Sequence, residues 1–106
     1  MKRIGQVIRI KPEFESKYRE LHAKAWPGVL DMLKKANIRN YSIYIQDDLL
    51  FAFFEYTGSN YEADMQRISD DPVSIEWEKI CNECQLPFRT GEKVEWTDME
   101  EVFHME

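Results

Sequence analysis

The sequence predicts an α+β domain with the element order β-α-β-β-α-β, a ferredoxin-like plan, and three observations support this prediction. Residues 3–10 place Ile4, Ile8 and Ile10 on one face, with Gln6 among them, as the alternation of a strand does. Residues 38–45 and 49–56 are rich in β-branched and aromatic types and lie close enough to form a hairpin. Apolar residues recur at helical spacing before and after this hairpin. With 106 residues, the chain has the length of one domain with one modest core, over residues 1–106.

The first helical region directly follows the first strand. Pro12 suits a first helical position, and acidic residues follow in the first turn, where the helix dipole favours them. The apolar spacing continues to about Lys35. Pro27 interrupts it, because proline lacks an amide hydrogen and disfavours helix in the preceding residue. We therefore expect a kink or a break near Trp26.

The second hairpin strand is apolar on both faces. One face carries Leu49, Phe51 and Phe53, and the other carries Leu50, Ala52 and Phe54. A single layer of helices covers only one face of a sheet. We therefore expect the sheet of a second copy of the chain to cover the other face, which makes the protein a homodimer.

Two helical segments and a strand complete the predicted plan. Ser59 or Asn60 can cap a helix that runs to about Ile68, and residues 70–72 (Asp-Asp-Pro) restart a helix that runs to about Cys84. Residues 85–92 contain a proline and a glycine and are predicted to form an exposed loop. The last strand is predicted at 99–105.

Composition and charge exclude several classes of protein. Fourteen basic and 20 acidic residues give a net charge of −6, which disfavours binding to nucleic acids and anionic membranes. No apolar run approaches the ~18 residues of a membrane span, and no apolar stretch follows the basic N-terminal pair as in a signal peptide. Two cysteines are too few for a disulfide framework, so we expect a cytoplasmic protein.

The strongest candidate for acid-base chemistry is His22. It stands four residues after Tyr18 on the first predicted helix, so the two side chains share a face. Histidine can give or take a proton near neutral pH, and a tyrosine hydroxyl can orient a substrate. Spacing alone favours a simpler alternative, an amphipathic helix that buries Tyr18 and Trp26 and leaves His22 at its boundary.

Further aromatic residues could contact a ligand. Tyr41 and Tyr44 fall on opposite faces of a strand, and one that faced a cavity could stack on a sugar or another planar ligand. Glu76 and Trp77 could bind a polyol, because an indole covers the apolar face of a sugar and a carboxylate accepts hydroxyl protons. The commoner arrangement is a solvated Glu76 beside a core Trp77. Trp96 is interpreted as a packing or interface residue.

The cysteines do not indicate a metal or redox site. Cys81 and Cys84 have the C-x-x-C spacing, but zinc needs four ligands and the sequence has no second pair. A thioredoxin-like pair opens a helix, whereas this pair closes one, so we expect both thiols to be dispensable. The sequence also lacks a glycine-rich phosphate loop and a G-x-S-x-G motif. We expect no metal and no cofactor.

Several segments resemble one known family. Residues 18–27, YRELHAKAWP, resemble the Y-x-x-x-H-x-x-x-W-P signature of the L-rhamnose mutarotases, and residues 40–44, NYSIY, resemble that family's N-Y-x-I-Y strand. The segment 49–52, Trp77 and the segment 101–103 match further family positions in the same order. The resemblance therefore spans the chain.

This resemblance implies a homodimeric α+β barrel that interconverts the anomers of L-rhamnose without a cofactor. It places the proton donor on His22 and the sugar-binding tyrosines on Tyr18 and Tyr41. The family's pair of adjacent tryptophans falls on positions 76 and 77, where this chain has Glu76 followed by Trp77. Glu76, Tyr18 or a water could serve as the base at the anomeric hydroxyl.

Two other functions remain open at this point. Dimeric ferredoxin-like barrels also include cofactorless and haem-handling oxygenases, an alternative that depends on fold analogy alone. A non-catalytic subunit that binds a sugar is the second. A mutarotase is chemically adequate because anomers already interconvert slowly in water, and one placed acid-base group contributes about 10²–10⁴-fold.

Overall fold

The computed structural model describes residues 1–106 and contains five strands and four α-helices. The strands are β1 (Lys2–Ile10), β2 (Ile38–Gln46), β3 (Leu49–Tyr56), β4 (Gln85–Leu86) and β5 (Thr97–Met99). A 3-10 turn at Pro12–Phe14 leads into the first of the helices, which are α1 (Glu15–Ala23), α2 (Pro27–Lys35), α3 (Tyr61–Asp70) and α4 (Pro72–Glu83). None of these helices is long and apolar enough to cross a bilayer.

The strands form one antiparallel sheet in the order β2-β3-β1-β4, and β5 also pairs with β1. Ile8 lies opposite Leu50, and Ile4 lies opposite Phe54. These side chains point to the face on which all four helices pack, and the core forms there as two apolar clusters. The predicted α+β, ferredoxin-like arrangement is confirmed.

The predicted helix boundaries follow local chemistry. α1 ends at Ala23 and α2 begins at Pro27, with Trp26 in an extended conformation between them, so the predicted break is confirmed. The Asn60 side chain accepts a hydrogen bond from the Ala63 amide at 3.1 Å and caps α3. An aspartate caps α4 in the same way, and Pro72 occupies the first turn of that helix.

Two predictions for the C-terminal region are wrong. The segment 85–92 does not begin as an exposed loop, because Gln85 and Leu86 pair with the end of β1 and Gln85 is 2% exposed. The last strand covers only Thr97–Met99, and residues 100–106 are exposed without regular structure. Met99 lies opposite Gly5, near the start of β1. Only a few residues of β1 therefore remain with which a longer β5 could pair.

The second face of the sheet carries no helix. Phe51 and Phe53 of β3 lie there, opposite Tyr44 and Ser42 of β2. Tyr44 is 67% exposed, and both phenylalanines are half-buried. The two-faced apolar character predicted for β3 is therefore present, and its second face is uncovered within one chain.

A buried polar cluster ties α3 to the sheet. The Tyr56 hydroxyl donates to Asp64 at 2.5 Å and accepts from the Asn60 amide at 3.0 Å. Asp64 also accepts from Asn37 at 3.0 Å, and these hydrogen bonds keep the pKa of its carboxyl below the ordinary value. A Cβ at Gly58 would stand 2.7 Å from the Asp64 carboxylate and still closer to the Tyr56 hydroxyl.

We expect Gly58→Ala to destabilise the protein because the hydrogen-bonded cluster cannot move away from the added methyl group. Overpacking costs about 1–3 kcal/mol, which corresponds to roughly 5–15 °C in the melting temperature of a domain this size. Thermal unfolding followed by circular dichroism measures the change, and Ser59→Ala, at the exposed neighbouring position, is the control. Equal melting temperatures for Gly58→Ala and the wild type would contradict this account.

Candidate active site

A cavity of about 500 Å³ opens between the helices and the sheet. This volume lies within the range of about 300–1,000 Å³ that is common for small-molecule sites. Its wall combines apolar side chains with a few polar groups, which are those of Tyr18, His22, Tyr41, Ser74, Trp77, Glu78, Asn82, Gln85, Glu95 and Trp96. The chain has no cluster of side chains suited to hold a metal ion. The cavity is therefore the candidate site for a small polar ligand.

Helix α1 places Tyr18 and His22 side by side in this cavity. Their rings stack with centroids 4.1 Å apart, as the spacing of four residues predicts. The His22 Nδ1 lies 2.9 Å from the backbone oxygen of Tyr18. Because a carbonyl oxygen can only accept, Nδ1 must carry the hydrogen of this bond. In the neutral imidazole the lone pair is therefore on Nε2, which makes no hydrogen bond within the chain.

Burial lowers the pKa of His22 below its ordinary value, and the hydrogen bond to the Tyr18 backbone opposes this shift only in part. The imidazole is therefore mainly neutral at neutral pH, with an unprotonated Nε2. Burial acts in the opposite direction on the phenol of Tyr18, whose pKa it raises well above the ordinary value. The pair thus combines a neutral base with a hydroxyl that stays protonated.

Two tryptophans support the imidazole from the side. Trp77 of α4 meets His22 edge-on at 5.1 Å between centroids, and Trp26 meets Trp77 at 5.2 Å. The break in the helix before Pro27 frees Trp26 to turn toward α4. Such aromatic contacts fix the orientation of the imidazole and place an apolar wall beside it.

Tyr41 reaches the cavity from strand β2. Its ring stacks on Phe54 with 5.3 Å between centroids, and 39% of the residue remains exposed. Burial of the hydroxyl raises the pKa of Tyr41 to about 12, so it also stays protonated. Tyr44 lies on the other face of the sheet, which confirms that the two tyrosines point in opposite directions.

The structure does not bring Glu76 into the cavity. The side chains of α4 that line it lie on one face of the helix at helical spacing, at Ser74, Trp77, Glu78, Cys81 and Asn82. Glu76 comes one residue before Trp77, about 100° away around the helix, and is exposed. The carboxylate that α4 contributes is that of Glu78.

The two cysteines are free and buried. Cys81 lines the cavity, and burial raises the pKa of its thiol to about 12. The pKa of the Cys84 thiol is also raised by burial. Both therefore remain protonated, weakly nucleophilic thiols at neutral pH.

Sequence reasoning missed residues that come from the C-terminal half of the chain. Gln85 donates through Nε2 to the Tyr18 hydroxyl at 3.5 Å, which leaves the proton of that hydroxyl free. Trp96, interpreted as a packing residue, packs against the core and also lines the cavity. Glu95 lies beside it. Because these residues lie far from α1 along the chain, no local sequence pattern indicates that they approach it in the fold.

Comparison with known proteins is consistent across sequence and structure. The family model for L-rhamnose mutarotase matches residues 3–105. Two curated proteins named L-rhamnose mutarotase, from Oceanobacillus iheyensis and Lactiplantibacillus plantarum, are 29% and 30% identical over 100% of both chains.

Two solved structures share the fold over the full length of each chain. An L-rhamnose mutarotase from Formosa agariphila superimposes with a TM-score of 0.78 at 22% identity. The tetracenomycin F2 cyclase from Streptomyces glaucescens, a type-II polyketide cyclase, superimposes with a TM-score of 0.72 at 11% identity. At these identities the superpositions show a common α+β barrel fold.

Proposed function

The chain belongs to the L-rhamnose mutarotase family, and we propose that its cavity opens and closes the pyranose ring of L-rhamnose, interconverting the α and β anomers. The protein is then an isomerase of carbohydrates. One observation supports this assignment of the site most strongly. The Nε2 of His22 has no partner in the chain and lies in a cavity that Tyr18, Tyr41 and Trp77 also line.

A single imidazole can perform both proton transfers. The neutral Nε2 accepts the proton of the anomeric hydroxyl as the bond from C1 to the ring oxygen breaks and the aldehyde forms. The resulting imidazolium then donates this proton to the ring oxygen. Both oxygens are bonded to C1 in the closed ring, so one nitrogen can serve them in turn. No proton is gained or lost overall.

Closure on the opposite face follows from the same groups. Rotation about the C1–C2 bond presents the other face of the aldehyde, and His22 now takes the proton from the open-chain hydroxyl and returns it to the carbonyl oxygen. Histidine suits both roles because its pKa lies close to neutral pH. The base at the anomeric hydroxyl is then His22 itself, rather than a carboxylate.

The other side chains bind and orient the sugar. Tyr18 and Tyr41 stay protonated and can donate hydrogen bonds to sugar oxygens. The indole of Trp77 can cover the apolar face of the pyranose, where 6-deoxyhexoses carry a methyl group. His22 therefore performs the proton transfers, and the three aromatic side chains bind and orient the sugar.

The experiment that tests the proposed function follows the optical rotation of freshly dissolved, single-anomer L-rhamnose. We expect the protein to accelerate the approach to anomeric equilibrium well above the buffer rate. Tight binding of rhamnose with an unchanged rate would instead indicate a non-catalytic sugar-binding subunit. Oxygen consumption, or a Soret band on haem titration, together with the buffer rate of mutarotation, would favour an oxygenase.

We expect Tyr18→Phe and Tyr41→Phe to weaken sugar binding more than they slow the chemistry. Each removes one oriented hydroxyl, and a hydrogen bond of this kind is worth about 0.5–1.5 kcal/mol, or up to roughly tenfold in KM. Tyr44→Phe, on the exposed face of the same strand, is the matched control. Kinetics over a range of rhamnose concentrations separates the two parameters. A fall in kcat as large as that expected on removal of a catalytic histidine would contradict the binding role.

We also propose that the protein is a homodimer in the cytoplasm. The uncovered face of the sheet around Phe51 and Phe53 supports the dimer, because an apolar sheet face in water is normally covered. Val102 and Phe103, at 93% and 80% exposure, add apolar surface that a second copy could bury. The two free thiols fit a reducing compartment.

A further inference from the structure

Asn40 interrupts the regular alternation of strand β2 immediately before Tyr41. We propose that Asn40 is a positioning residue, whose backbone conformation and side chain hold a β-bulge that turns Tyr41 toward the cavity. The inference depends on the proposed function only through the role of Tyr41 as a sugar ligand. The bulge itself is independent of any ligand.

The first observation is a change of parity along β2. Side chains of a regular strand alternate between faces, so Ile38 and an odd-numbered residue should point in opposite directions. Ile38 belongs to the core beneath the helices, yet Ile43 and Ile45 pack on the same helix-covered face. Two sets of residues with opposite parity can share a face only if one extra residue is inserted between them.

The register locates this insertion. Arg39 lies opposite Glu55, and the next paired residue, Ser42, lies opposite Phe53. Asn40 and Tyr41 therefore share the single residue Phe54 as their counterpart. Two residues against one is the definition of a bulge. The ring of Tyr41 stacks on this same Phe54.

The backbone of Asn40 explains how the bulge forms. Its φ is +52°, in the left-handed region that asparagine tolerates better than most residues. The two other non-glycine residues with positive φ lie at expected turns, Asn37 after helix α2 and Asp47 in the hairpin loop. Only Asn40 adopts this conformation inside a strand.

The Asn40 side chain links the bulge to the neighbouring strand β3. Its Nδ2 donates a hydrogen bond to the carboxylate of Glu55 on β3. This bond joins the two strands at the point where the backbone ladder is interrupted. In a regular strand that kept Ile38 in the core, Tyr41 would point to the opposite face of the sheet, away from His22.

The consequence is that Asn40 acts on the sugar through Tyr41. A residue that disfavours positive φ should flatten the bulge and withdraw the Tyr41 ring from the cavity. The effect should appear in substrate binding, because Tyr41 is a binding group and His22 stays in place on α1. Asn40 itself does not line the cavity.

The test compares substitutions that differ in their tolerance of positive φ. Asn40→Gly permits the conformation and should retain KM within about threefold, whereas β-branched Asn40→Val should raise KM about tenfold or more with kcat little changed. Asp47→Val is the control, since it introduces the same side chain at positive φ in the hairpin loop. It should lower stability similarly and leave KM unchanged.

A double-mutant cycle separates positioning through Tyr41 from a general structural effect. If Asn40 acts through Tyr41, adding Asn40→Val to Tyr41→Ala should change KM by less than about twofold. If Asn40→Val does not fold, Asn40→Ala takes its place in the cycle, because alanine also lacks the amide and disfavours positive φ.

Full additivity in that cycle, or an Asn40→Val KM equal to that of the wild type, would overturn the proposal while leaving the mutarotase function intact. An inactive wild type would instead overturn the proposed function. The bulge then remains testable in the same variants, because a displaced Tyr41 phenol loses its burial. We expect Tyr41, with its pKa raised to about 12, to titrate closer to its ordinary pKa in Asn40→Val than in Asn40→Gly. Identical tyrosine titrations would overturn the proposal.

Discussion

His22→Ala should lower the rate of anomer exchange by about 10²-fold or more, as the loss of one placed acid-base group does. His22 provides the only imidazole in the cavity, and its Nε2 has no other partner in the chain. Its side chain is part-buried at the edge of the core, so the variant should remain folded. His104→Ala removes the other histidine, which is exposed near the C-terminus, and is the matched control.

The pH dependence should report the same group. Burial keeps the pKa of His22 below the ordinary value, so neutral Nε2 predominates at pH 7. Because the neutral form begins the reaction, the rate should be constant around neutral pH and should fall as the pH drops through this lowered pKa. A fall on the alkaline side instead would mean that a preformed imidazolium is the active species.

Protonation of His22 at low pH should also lower the free energy of unfolding. A histidine with a lowered pKa in the folded state binds protons more readily when unfolded. Folding is therefore favoured by the neutral form, and this contribution is lost as the pH falls through the ordinary histidine pKa and below. Chemical unfolding at several pH values should show the wild type losing this increment of stability and His22→Ala lacking it.

Phe51→Glu should convert the proposed dimer into monomers. Phe51 lies on the apolar sheet face, between Val7 of β1 and Tyr44 of β2. A carboxylate buried there without a partner costs several kcal/mol, and each 1.4 kcal/mol weakens association about tenfold. The monomer should stay folded, because this face is not the one on which the helices pack.

Light scattering at micromolar concentration measures this change. The wild type should give twice the chain mass of 12.7 kDa, and Phe51→Glu should give the mass of one chain. Ile75→Glu, on an exposed position of α4, tests whether any added surface carboxylate has the same effect. A wild type that stays monomeric, or a Phe51→Glu that stays dimeric, would count against this interface.

Local chemistry explains which elements could be predicted from the sequence. Pro27 breaks a helix wherever it stands, and Asn60 and Asp71 cap helices through their own side chains. The strand at 85–86 could not be predicted in this way. Its pairing with β1 joins residues more than seventy positions apart, and the two residues are too few for a periodic pattern.

The same distinction applies to the site. Tyr18 and His22 could be paired because four residues make one helical turn, and the resemblance to the family added Tyr41 and Trp77. Glu76 does not line the cavity, because neighbouring helical residues differ by about 100° in direction, and only the packing of α4 decides which of them faces it. Trp96 and Gln85 enter the cavity from distant segments, which no local pattern reveals.

The most direct test of proton transfer by His22 is two-dimensional exchange NMR on L-rhamnose at anomeric equilibrium. It measures the rate at which the α and β anomeric protons interchange, with wild type and His22→Ala at equal concentration. We expect strong exchange peaks with the wild type and, with His22→Ala, a rate about 10²-fold lower or at the buffer value. A folded His22→Ala that exchanges the anomers at the wild-type rate would contradict proton transfer by His22.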